Sequence, residues 1–265
     1  MSVDLSIIVV NHNHEKYLEK CFCSILEHQG NIQIEMILVD NVNSPQVSKM
    51  MASRFPDVKV IPNKIPMGFA ANCNLGFKNS QGRNILFLNP DIEIIKGDLG
   101  NLLKKMQETP KVGVVCAELL NSDLTPQYSI RQFPTLAAIL FRGFKLGKLF
   151  PNASLYKNYL LSGKDRTQSF EIDWGLGAFL MFTRERYEEM NLMDEQFTMY
   201  YEDVDLCYRL KLAGYKNYFM PDLQAVHDYQ RDSAKKLFSK LKFHHVKSIL
   251  YFFWKHKFTS VPSCL

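Results

Sequence analysis

The run Ile85-Leu86-Phe87-Leu88-Asn89-Pro90-Asp91 decides the fold class, because it joins a buried strand to a polar turn. The four apolar residues predict a buried strand. Pro90 cannot continue a central strand, so the strand is expected to end at Asn89. Asp91 is then predicted to lie on a loop at the carboxyl end of that strand, the edge at which open α/β sheets bind their ligands.

Asp91 is a candidate metal ligand. A hard carboxylate oxygen in this position suits Mg²⁺ or Mn²⁺ that carries a substrate diphosphate. Asn-Pro-Asp is also an ordinary turn tripeptide, and local chemistry alone favours a turn without a metal. The other candidate residues of the chain change this balance.

The composition is that of a globular protein. With 265 residues, the chain is long enough for one large α/β domain or two small ones. The formal net charge of +5 permits attraction to anionic lipid heads or a diphosphate, but 32 basic against 27 acidic residues argue against a nucleic-acid binder. No stretch approaches the roughly 18 apolar residues of a membrane span, and Leu5–Val10 is too short for a signal peptide.

The cysteines are scattered, without a Cys-x-x-Cys pair or the spacing of a zinc site. They are expected to be reduced thiols in a cytosolic protein, and several of them small core residues. The six are Cys21, Cys23, Cys73, Cys116, Cys207 and Cys264.

Strand and helix patterns alternate through the first half of the chain, which indicates βαβ units. We therefore expect an α/β fold with a mostly parallel central sheet flanked by helices. The predicted strands are Leu5–Val10, Ile34–Val39, Val58–Ile61, Ile85–Leu88 and Val112–Ala117, and the predicted helices are Glu15–Glu27, Pro45–Arg54, Ala70–Asn79 and Leu99–Glu108.

The second half is less regular. From about Thr125 to Phe170 periodicity is poor, which predicts a long insertion or loop pair. Regular patterns then predict a strand at Ala178–Thr183, a helix at Arg184–Met190, a helix from Glu202 to a C′ glycine at Gly214, and a short strand at Leu223–Val226. The chain is basic and helical from about Ser233 to His256, so we assign residues 1–232 to one domain and 233–265 to a basic amphipathic C-terminal helical extension.

Two sites in the first half could contact a nucleotide. Asp40 ends a strand, and its carboxylate can accept a hydrogen bond from the N3–H of uracil or thymine. The alternative is that Asp40 or Ser44 caps the next helix. Gly68 is a turn before a helix that carries Asn72, and this helix N-terminus could face a nucleotide or its phosphates. Equally, Gly68 could be only a turn and Asn72 a surface residue.

Three acids open one helix behind the aromatic run Phe197–Tyr201. The helix dipole favours acids in a first turn, and Asp205 can pair with Arg209 four residues on. Two adjacent carboxylates, Glu202 and Asp203, at the rim of a cleft would nevertheless allow one to serve as a general base. At about 100° per residue the three acids point in different directions, so at most two can face one ligand.

Two further residues have both a functional and a structural interpretation. His227 follows the short strand at Leu223–Val226, and imidazole commonly accompanies carboxylate in transition-metal sites, although a lone histidine is more often structural. Trp174 lies beside Gly175 and Gly177 ahead of a strand. Its ring could stack on a sugar, or it could be a core tryptophan.

Seven of these segments, in this order, resemble the motifs of family 2 glycosyltransferases, and the chain is most similar to the bacterial rhamnosyltransferase branch. The resemblance covers about residues 3–230. The segments are Val9-Val10-Asn11-His12-Asn13, Val39-Asp40-Asn41, Gly68-Phe69-Ala70-Ala71-Asn72, Leu88-Asn89-Pro90-Asp91, Trp174-Gly175-Leu176-Gly177-Ala178, Tyr201-Glu202-Asp203-Val204-Asp205-Leu206 and His227.

This resemblance implies an A-type glycosyltransferase fold that binds a nucleotide-diphospho-sugar, and an inverting transfer that depends on Mg²⁺ or Mn²⁺. It implies that Asp40 holds the pyrimidine, that Asp91 binds the metal and the diphosphate, and that Asp203 is the catalytic base. His227 is expected at the metal, and the remaining residues expected in the nucleotide-sugar site are Asn11, Gly68, Asn72, Asn89, Trp174 and Glu202.

Asn89 stands where most of the family has the first aspartate of Asp-x-Asp. The exchange removes one negative charge near the sugar and the metal. Because the same Asn-x-Asp form is familiar in the rhamnosyl- and galactofuranosyl-transferase branches, it points to a deoxysugar or furanose donor.

The function that we expect is transfer of L-rhamnose from dTDP-rhamnose to a lipid-linked or polysaccharide acceptor in cell-surface glycan synthesis, with a dTDP- or UDP-sugar as donor. A galactofuranosyl- or other hexosyl-transferase of the same family is the nearest alternative. A nucleotidyltransferase would need a lysine- and glycine-rich phosphate loop, which Asn11-His12-Asn13-His14 does not supply. A catalytically silent sugar-nucleotide-binding module is the third alternative.

The C-terminal segment predicts a surface role. Lysines interleaved with bulky apolar residues from Lys235 to Lys255 suit a helix lying on an anionic membrane surface. The alternatives are that the aromatic residues pack back on the domain or form a homodimer interface. We expect a cytoplasmic protein, peripheral at the inner face of the membrane, that binds a nucleotide sugar and a glycan or lipid-linked acceptor but no nucleic acid.

Overall fold

The computed structural model of the protein describes residues 2–143, 153–228 and 240–257. Its strands are β1 (Leu5–Asn11), β2 (Ile34–Asp40), β3 (Lys59–Pro62), β4 (Asn84–Leu88), β5 (Ile92–Lys96), β6 (Val112–Leu120), β7 (Ile130–Arg131), β8 (Phe170–Ile172), β9 (Trp174–Gly175), β10 (Phe179–Thr183) and β11 (Lys216–His227). Its helices are α1 (Glu15–Glu27), α2 (Pro45–Arg54), α3 (Phe69–Lys78), α4 (Leu99–Glu108), α5 (Leu136–Gly143), α6 (Ser154–Tyr159), α7 (Arg184–Glu189), α8 (Glu202–Leu212) and α9 (Lys240–Lys255).

Nine strands of the described chain form one mixed sheet in the order β3-β2-β1-β4-β10-β6-β11-β5, with β8 paired to β11. β1 pairs in parallel with β2 and β4, β2 with β3, and β6 with β11. β10 runs antiparallel between β4 and β6, and β5 and β8 run antiparallel to β11. The predicted α/β fold with a mostly parallel central sheet is therefore confirmed.

Helices cover both faces of this sheet. On one face, α1, α2 and α4 pack their apolar residues against the strands, with Leu18, Phe22 and Leu102 fully buried. On the other face, α3 and α8 do the same through residues such as Ala70 and Leu206. All residues of β1, β4 and β6 are buried, because their apolar side chains meet a helical layer on each side.

Two strands differ from the prediction. β5 was not predicted, because Ile92–Lys96 follows the Asn-Pro-Asp turn and its two last residues are exposed. β11 is twelve residues long, although only Leu223–Val226 was predicted. Pro221 interrupts the strand pattern in the sequence, and the register of β11 against β6 shifts between Phe219 and Gln224. The pattern therefore does not reveal one long strand.

The stretch from Thr125 to Phe170 is more regular than predicted. It contains β7, α5 and α6, so the prediction of a loop pair was wrong for these residues. Elements of two to eight residues complete too few turns to show a period, which explains the error. Residues 144–152 lie outside the described part of the chain.

The helix that begins at Glu202 ends as predicted. Gly214 lies just past Leu212 with a φ of +88°, the left-handed conformation that a C′ glycine supplies. Its N–H donates to the carbonyl of Lys211 and so satisfies one of the last carbonyls of α8.

The predicted C-terminal helix is described from Lys240, and residues 233–239 lie outside the described part. One face of α9 packs back on the sheet domain, with Phe252 3% exposed and its ring centroid 5.5 Å from that of Tyr201. The packing alternative is therefore confirmed for this face, and the domain boundary at 232 remains a prediction. No helix within the described ranges is long and apolar enough to cross a membrane.

Candidate active site

Polar residues collect at the carboxyl edge of the parallel strands. Asn11 and Asp40 are the last residues of β1 and β2, and Asn89 follows β4 directly. His227 is the last residue of β11, which runs parallel to β6. Because parallel strands end at the same edge, four of the predicted site residues share one side of the sheet.

Asp40 is fully buried and organises the turn that follows β2. Its Oδ1 accepts a hydrogen bond from Asn11 Nδ2 at 3.0 Å, and its Oδ2 accepts one from the Ser44 N–H at 2.6 Å. Ser44, not Asp40, caps α2 by accepting from the Val47 N–H. Oδ1 also accepts from the Val42 N–H at 3.4 Å, which leaves Oδ2 as the oxygen with a second lone pair. The contact of Asp40 with a pyrimidine remains a prediction.

A buried amide network supports the loop ahead of α3. Asn63 Nδ2 donates to Asn41 Oδ1 at 2.9 Å and to Asn72 Oδ1 at 2.6 Å. Asn72 Nδ2 in turn donates to the carbonyls of Met67 and Gly68. Asn72, with no exposed surface, braces this loop from inside. Asn63 was missed by sequence reasoning, although it directly follows β3 as Asp40 ends β2.

Gly68 is required by a close approach of two backbone segments. A Cβ atom built on it would lie 2.8 Å from the carbonyl oxygen of Thr198. Only glycine allows the segment before α8 to pass this near to the first turn of α3. Gly68 thus allows the loop ahead of α3 to lie against the segment that leads into the acidic helix.

Two tyrosines in left-handed conformation lead into α8. Tyr200 has a φ of 66° and Tyr201 a φ of 71°. Bulky residues rarely adopt this conformation, because it costs on the order of 1–3 kcal/mol for each residue and persists only where the surroundings enforce it. The Tyr201 ring is held by the rings of Phe252 and His245 from α9.

The adjacent carboxylates Glu202 and Asp203 are both buried, with 6% and 8% of their surface exposed. Asp203 Oδ2 accepts from the Gly177 N–H at 2.9 Å, and its Oδ1 from the Val204 N–H at 2.8 Å. Burial raises the pKa of Asp203, while these hydrogen bonds oppose the rise. Its carboxylate is thus fixed in place and more basic than a solvated one.

Glu202 has a different environment. Burial and then the neighbouring Asp203 charge raise the pKa of Glu202 well above its ordinary value. Within the described residues its buried Oε2 has no hydrogen-bond partner. Of the two carboxylates, Asp203 accepts N–H groups on both of its oxygens, so the hydrogen bonds favour the negative charge on Asp203 over Glu202.

Trp174 lies in β9 and is 5% exposed. Its Nε1–H donates to the Gln132 carbonyl at 2.8 Å, and the guanidinium carbon of Arg131 lies 5.1 Å from its ring centroid. One ring face is therefore covered by a cation, and stacking on a sugar remains a prediction. The positive charge of Arg131 also opposes the rise that burial causes in the pKa of Asp203. Arg131 is thus a neighbour of this carboxylate that sequence reasoning missed.

Asp91 and His227 come together as predicted for a shared site. His227 Nε2 lies 3.5 Å from Asp91 Oδ1, and both side chains are almost entirely buried. His227 Nδ1 lies 2.7 Å from Gln127 Oε1, while Gln127 Nε2 faces Asn121 Oδ1 at 3.3 Å. Because Gln127 Nε2 faces an acceptor, Gln127 Oε1 is the atom that accepts from His227 Nδ1–H, and His227 Nε2 faces Asp91.

These two residues fit a divalent cation that also binds a substrate diphosphate. Mg²⁺ and Mn²⁺ are commonly held by one or two protein ligands together with substrate phosphates, and a carboxylate oxygen with an imidazole nitrogen suits Mn²⁺ in particular. The described residues hold no group of three or more His, Cys, Asp or Glu side chains that could bind a metal without such a substrate. Asn89 is half-buried beside them, its N–H bonded to the Ala178 carbonyl.

Asp205, two residues after the base candidate, joins α8 to α9. It is fully buried and accepts from Arg209 Nε at 2.7 Å, Lys255 Nζ at 2.8 Å and His256 Nε2 at 2.8 Å. Burial raises the pKa of Asp205, but the His256 hydrogen bond and the charges of Arg209 and Lys255 outweigh it and lower the pKa to about 2. The predicted Asp205–Arg209 pair is confirmed.

The sheet and the site at its carboxyl edge define an A-type glycosyltransferase fold. The structure of GalNAc-T7 with UDP, GalNAc and Mn²⁺ matches 98% of this chain with a TM-score of 0.69 at 15% identity. The mannosyltransferase PcManGT from Pyrobaculum calidifontis, in complex with GDP-Man and Mn²⁺, matches 99% with a TM-score of 0.63 at 15% identity. The chain spans 52% of the GalNAc-T7 chain and 66% of the PcManGT chain.

The chain belongs to glycosyl transferase family 2, whose sequence profile matches residues 6–176. Rhamnosyltransferase WbbL of Escherichia coli (strain K12) is 28% identical over 253 residues, which are 91% of this chain and 89% of WbbL. The N-acetylglucosaminyl-diphospho-decaprenol L-rhamnosyltransferase of Mycobacterium tuberculosis (strain H37Rv) is 23% identical over 269 residues, 95% of this chain and 85% of that protein. The predicted resemblance is confirmed.

Replacing Asp205 with Asn is expected to destabilise the fold by about 3 kcal/mol, because Arg209 and Lys255 lose a buried partner. Since the folded pKa of about 2 lies below the ordinary aspartate value of 3.8, the Asp205 charge stabilises the protein above pH 4 and this contribution, about 2 kcal/mol, is lost as the pH falls towards 2. Urea unfolding at pH 7 and pH 3 measures both effects.

The matched control for this experiment is Asp123→Asn, because Asp123 is an exposed loop acid. This variant should change the free energy of unfolding at pH 7 by less than about 0.5 kcal/mol. Equal stability of the Asp205 variant and the wild type at pH 7 would contradict the role of the cluster.

Proposed function

We propose that this protein is an inverting, metal-dependent glycosyltransferase that moves L-rhamnose from dTDP-rhamnose to a lipid-linked or polysaccharide acceptor. The observation that carries the proposal is the buried Asp203 carboxylate, held by the Gly177 N–H beside Trp174. Relatives named as rhamnosyltransferases align over most of the chain and support the choice of sugar. The proposal extends to peripheral contact with the membrane that carries such an acceptor.

In this proposal Asp203 is the general base of a single displacement. It takes the proton of an acceptor hydroxyl as that oxygen bonds to the anomeric carbon, while the bond from this carbon to the diphosphate oxygen breaks. A base works best when its pKa lies close to the working pH, and burial raises the pKa of Asp203 in that direction. Because the pKa of Glu202 is raised well above its ordinary value, Glu202 would be neutral and the negative charge of the pair would lie on Asp203.

The donor would bind along the carboxyl edge of the sheet. Asp40 and Asn11 would contact the pyrimidine, while Asn72 and Gly68 hold the loop that lines the same edge. Asp91 and His227 would hold the divalent cation, whose charge would stabilise the departing nucleoside diphosphate. Asn89 is uncharged, so the site around the cation and the sugar would carry one negative charge fewer than a site with Asp-x-Asp.

A different hexosyl donor is the second candidate. The low-salt glycan biosynthesis hexosyltransferase Agl10 of Haloferax volcanii is 25% identical over 236 residues, which are 88% of this chain. The two candidates differ only in the sugar, so one assay separates them.

That assay measures nucleoside diphosphate released from a panel of sugar nucleotides, with membrane lipid extract as acceptor and with Mn²⁺, Mg²⁺ or chelator. We expect release from dTDP-rhamnose that needs both the extract and a divalent cation. Release from a UDP-hexose and from no other donor would show that the transferred sugar is that hexose and not rhamnose. Absence of release from every donor, together with intact folding, would favour a silent binding module.

Asp203→Asn is expected to lower the transfer rate on the order of 10²–10⁴-fold, because the variant keeps the size of the side chain but loses its basicity and one of the two oxygens that accept a backbone N–H. The dissociation constant of the nucleotide sugar should hardly change, since the donor does not need this charge. Steady-state kinetics and calorimetry on the same protein measure the two quantities.

Glu202→Gln is the matched control for the base. Because Glu202 is expected to be neutral, its amide should preserve most of the rate. Near-normal turnover of Asp203→Asn would show that Asp203 is not the base. A folded but inactive Glu202→Gln beside an active Asp203→Asn would indicate that Glu202 is the base.

Asp91→Ala is expected to abolish the metal-dependent part of dTDP or UDP binding, because the Asp91 carboxylate is the proposed link between protein and cation. Calorimetry with and without Mn²⁺ measures this part directly. Glu93→Ala, a change of a neighbouring acid that pairs with Lys20 instead, is the control. Unchanged affinity and unchanged metal dependence in Asp91→Ala would remove Asp91 from the metal site.

Gln127 is proposed to orient His227 for the metal. Gln127→Met removes the acceptor for Nδ1–H, and we expect Mn²⁺ affinity in the presence of dTDP to fall about 10- to 100-fold. Gln127→Glu keeps an acceptor at the same place and should retain the affinity. A titration followed by the electron paramagnetic resonance of free Mn²⁺ measures this, and equal affinities of the Met variant and the wild type would exclude the orienting role.

A further inference from the structure

The helix α9 has an apolar face that the described part of the chain leaves open. Phe243, Val246, Leu250 and Trp254 are 72%, 55%, 66% and 72% exposed. At about 100° per residue these four side chains fall within an arc of about 80°, so they form one stripe. We refer to these four residues as the α9 stripe. Large apolar side chains scattered singly are normal on a surface, whereas a continuous stripe indicates a contact.

The opposite face of α9 is fixed to the domain. Phe252 is buried, Ser248 Oγ donates to the Met199 carbonyl at 2.9 Å, and Tyr251 OH donates to Asp194 Oδ2 at 2.9 Å. Lys255 and His256 add the ionic contacts to Asp205 described for the site. These contacts fix the rotation of α9 about its axis, so the α9 stripe faces away from the domain.

The charge of this region is one-sided. Residues 233–265 contain seven lysines and no Asp or Glu, which leaves 25 basic and 27 acidic residues in 1–232. The positive net charge of the whole chain thus comes from its C-terminal part. On the described helix, exposed Lys247 borders the α9 stripe, about 20° outside its arc, and exposed Lys257 lies just beyond the end of the helix.

We propose that the α9 stripe binds the surface of an anionic lipid bilayer. Phe, Leu and Trp side chains would enter the boundary between headgroups and acyl chains, while Lys247 and Lys257 would meet the lipid phosphates. A second copy of the chain fits less well. Two stripes packed face to face would bring Lys247 of each copy together, and residues 240–257 contain no acid to compensate.

This inference rests on the proposed function where it concerns the acceptor. The inner face of α9 contacts Met199 and Tyr201, the segment that leads directly into Asp203. A bilayer bound to the outer face would therefore lie on the same side of the protein as the base-bearing end of α8. A sugar acceptor linked to a membrane lipid would be presented there without leaving the bilayer.

Vesicle co-sedimentation of the full chain tests the surface. The probe is vesicles of phosphatidylglycerol and phosphatidylcholine, compared with phosphatidylcholine alone, at low and high salt. We expect the wild type to bind the anionic vesicles, more weakly at high salt. The double variant Leu250→Gln, Trp254→Gln should bind on the order of 10-fold or more weakly, and Lys247→Gln should reduce the salt dependence.

The matched control is Leu124→Gln, because Leu124 is 60% exposed on a loop far along the chain from α9. It should bind vesicles as the wild type does. Thermal unfolding of each variant should match the wild type, since the substituted side chains are exposed.

Equal vesicle binding of the double variant and the wild type would overturn the proposal. So would a wild type that binds no vesicles but forms a dimer in sedimentation equilibrium that the double variant loses, because the occupant would then be a second copy. Binding of dTDP with Mn²⁺ is measured on the same proteins. If the wild type fails to bind dTDP while its vesicle binding depends on the α9 stripe, the result contradicts the proposed function but supports the proposed membrane-binding surface.

Discussion

The parallel pairing of β1 with both β2 and β4 is the constraint on which the site depends. In this register Asn11 lies opposite Asp40, and Val9 lies opposite Leu88, the residue before Asn89. The 3.0 Å hydrogen bond from Asn11 to Asp40 is a direct consequence. Side chains alternate between the two faces of a strand, so a shift by one residue would move each apolar side chain of β1 into the opposite helical layer, where its shape no longer matches the side chains that pack there. The burial of the sheet therefore fixes the positions of its polar ends.

The acids at the start of α8 show how burial and donors separate chemical from structural roles. Asp205 receives hydrogen bonds from Arg209, Lys255 and His256, and its pKa is lowered to about 2, so it is charged at any working pH. Asp203 receives two backbone N–H groups, and burial raises its pKa. Glu202 has no side-chain donor among the described residues, and burial raises its pKa further from the ordinary value. Carboxylates whose environments move their pKa values apart are typical of acid–base sites.

Sequence reasoning reached the strands and the acidic helix because their signals are local. The apolar run before Asn89 and the four-residue spacing of Asp205 and Arg209 need no knowledge of distant residues. Gln127 could not be found this way, since it lies 100 residues from His227 in the chain. Arg131 belongs to the same stretch of two- to eight-residue elements, where no period identifies a strand. Arg131 lies beside Trp174 because β7 pairs with β9, and the two-residue segments of these strands carry no local signal that would predict this pairing.

The conformation of the residues before α8 explains why the C-terminal helix belongs with the site. Tyr200 and Tyr201 adopt left-handed conformations that an isolated chain would leave, since each costs on the order of 1–3 kcal/mol. The rings of His245 and Phe252 pack against them, and Ser248 binds the carbonyl of Met199 just ahead. The free energy of packing α9 is thus coupled to the geometry of the turn that aims Asp203. A change that loosens α9 would therefore act on Asp203, the proposed base, through this turn, although no residue of α9 has to touch the substrate.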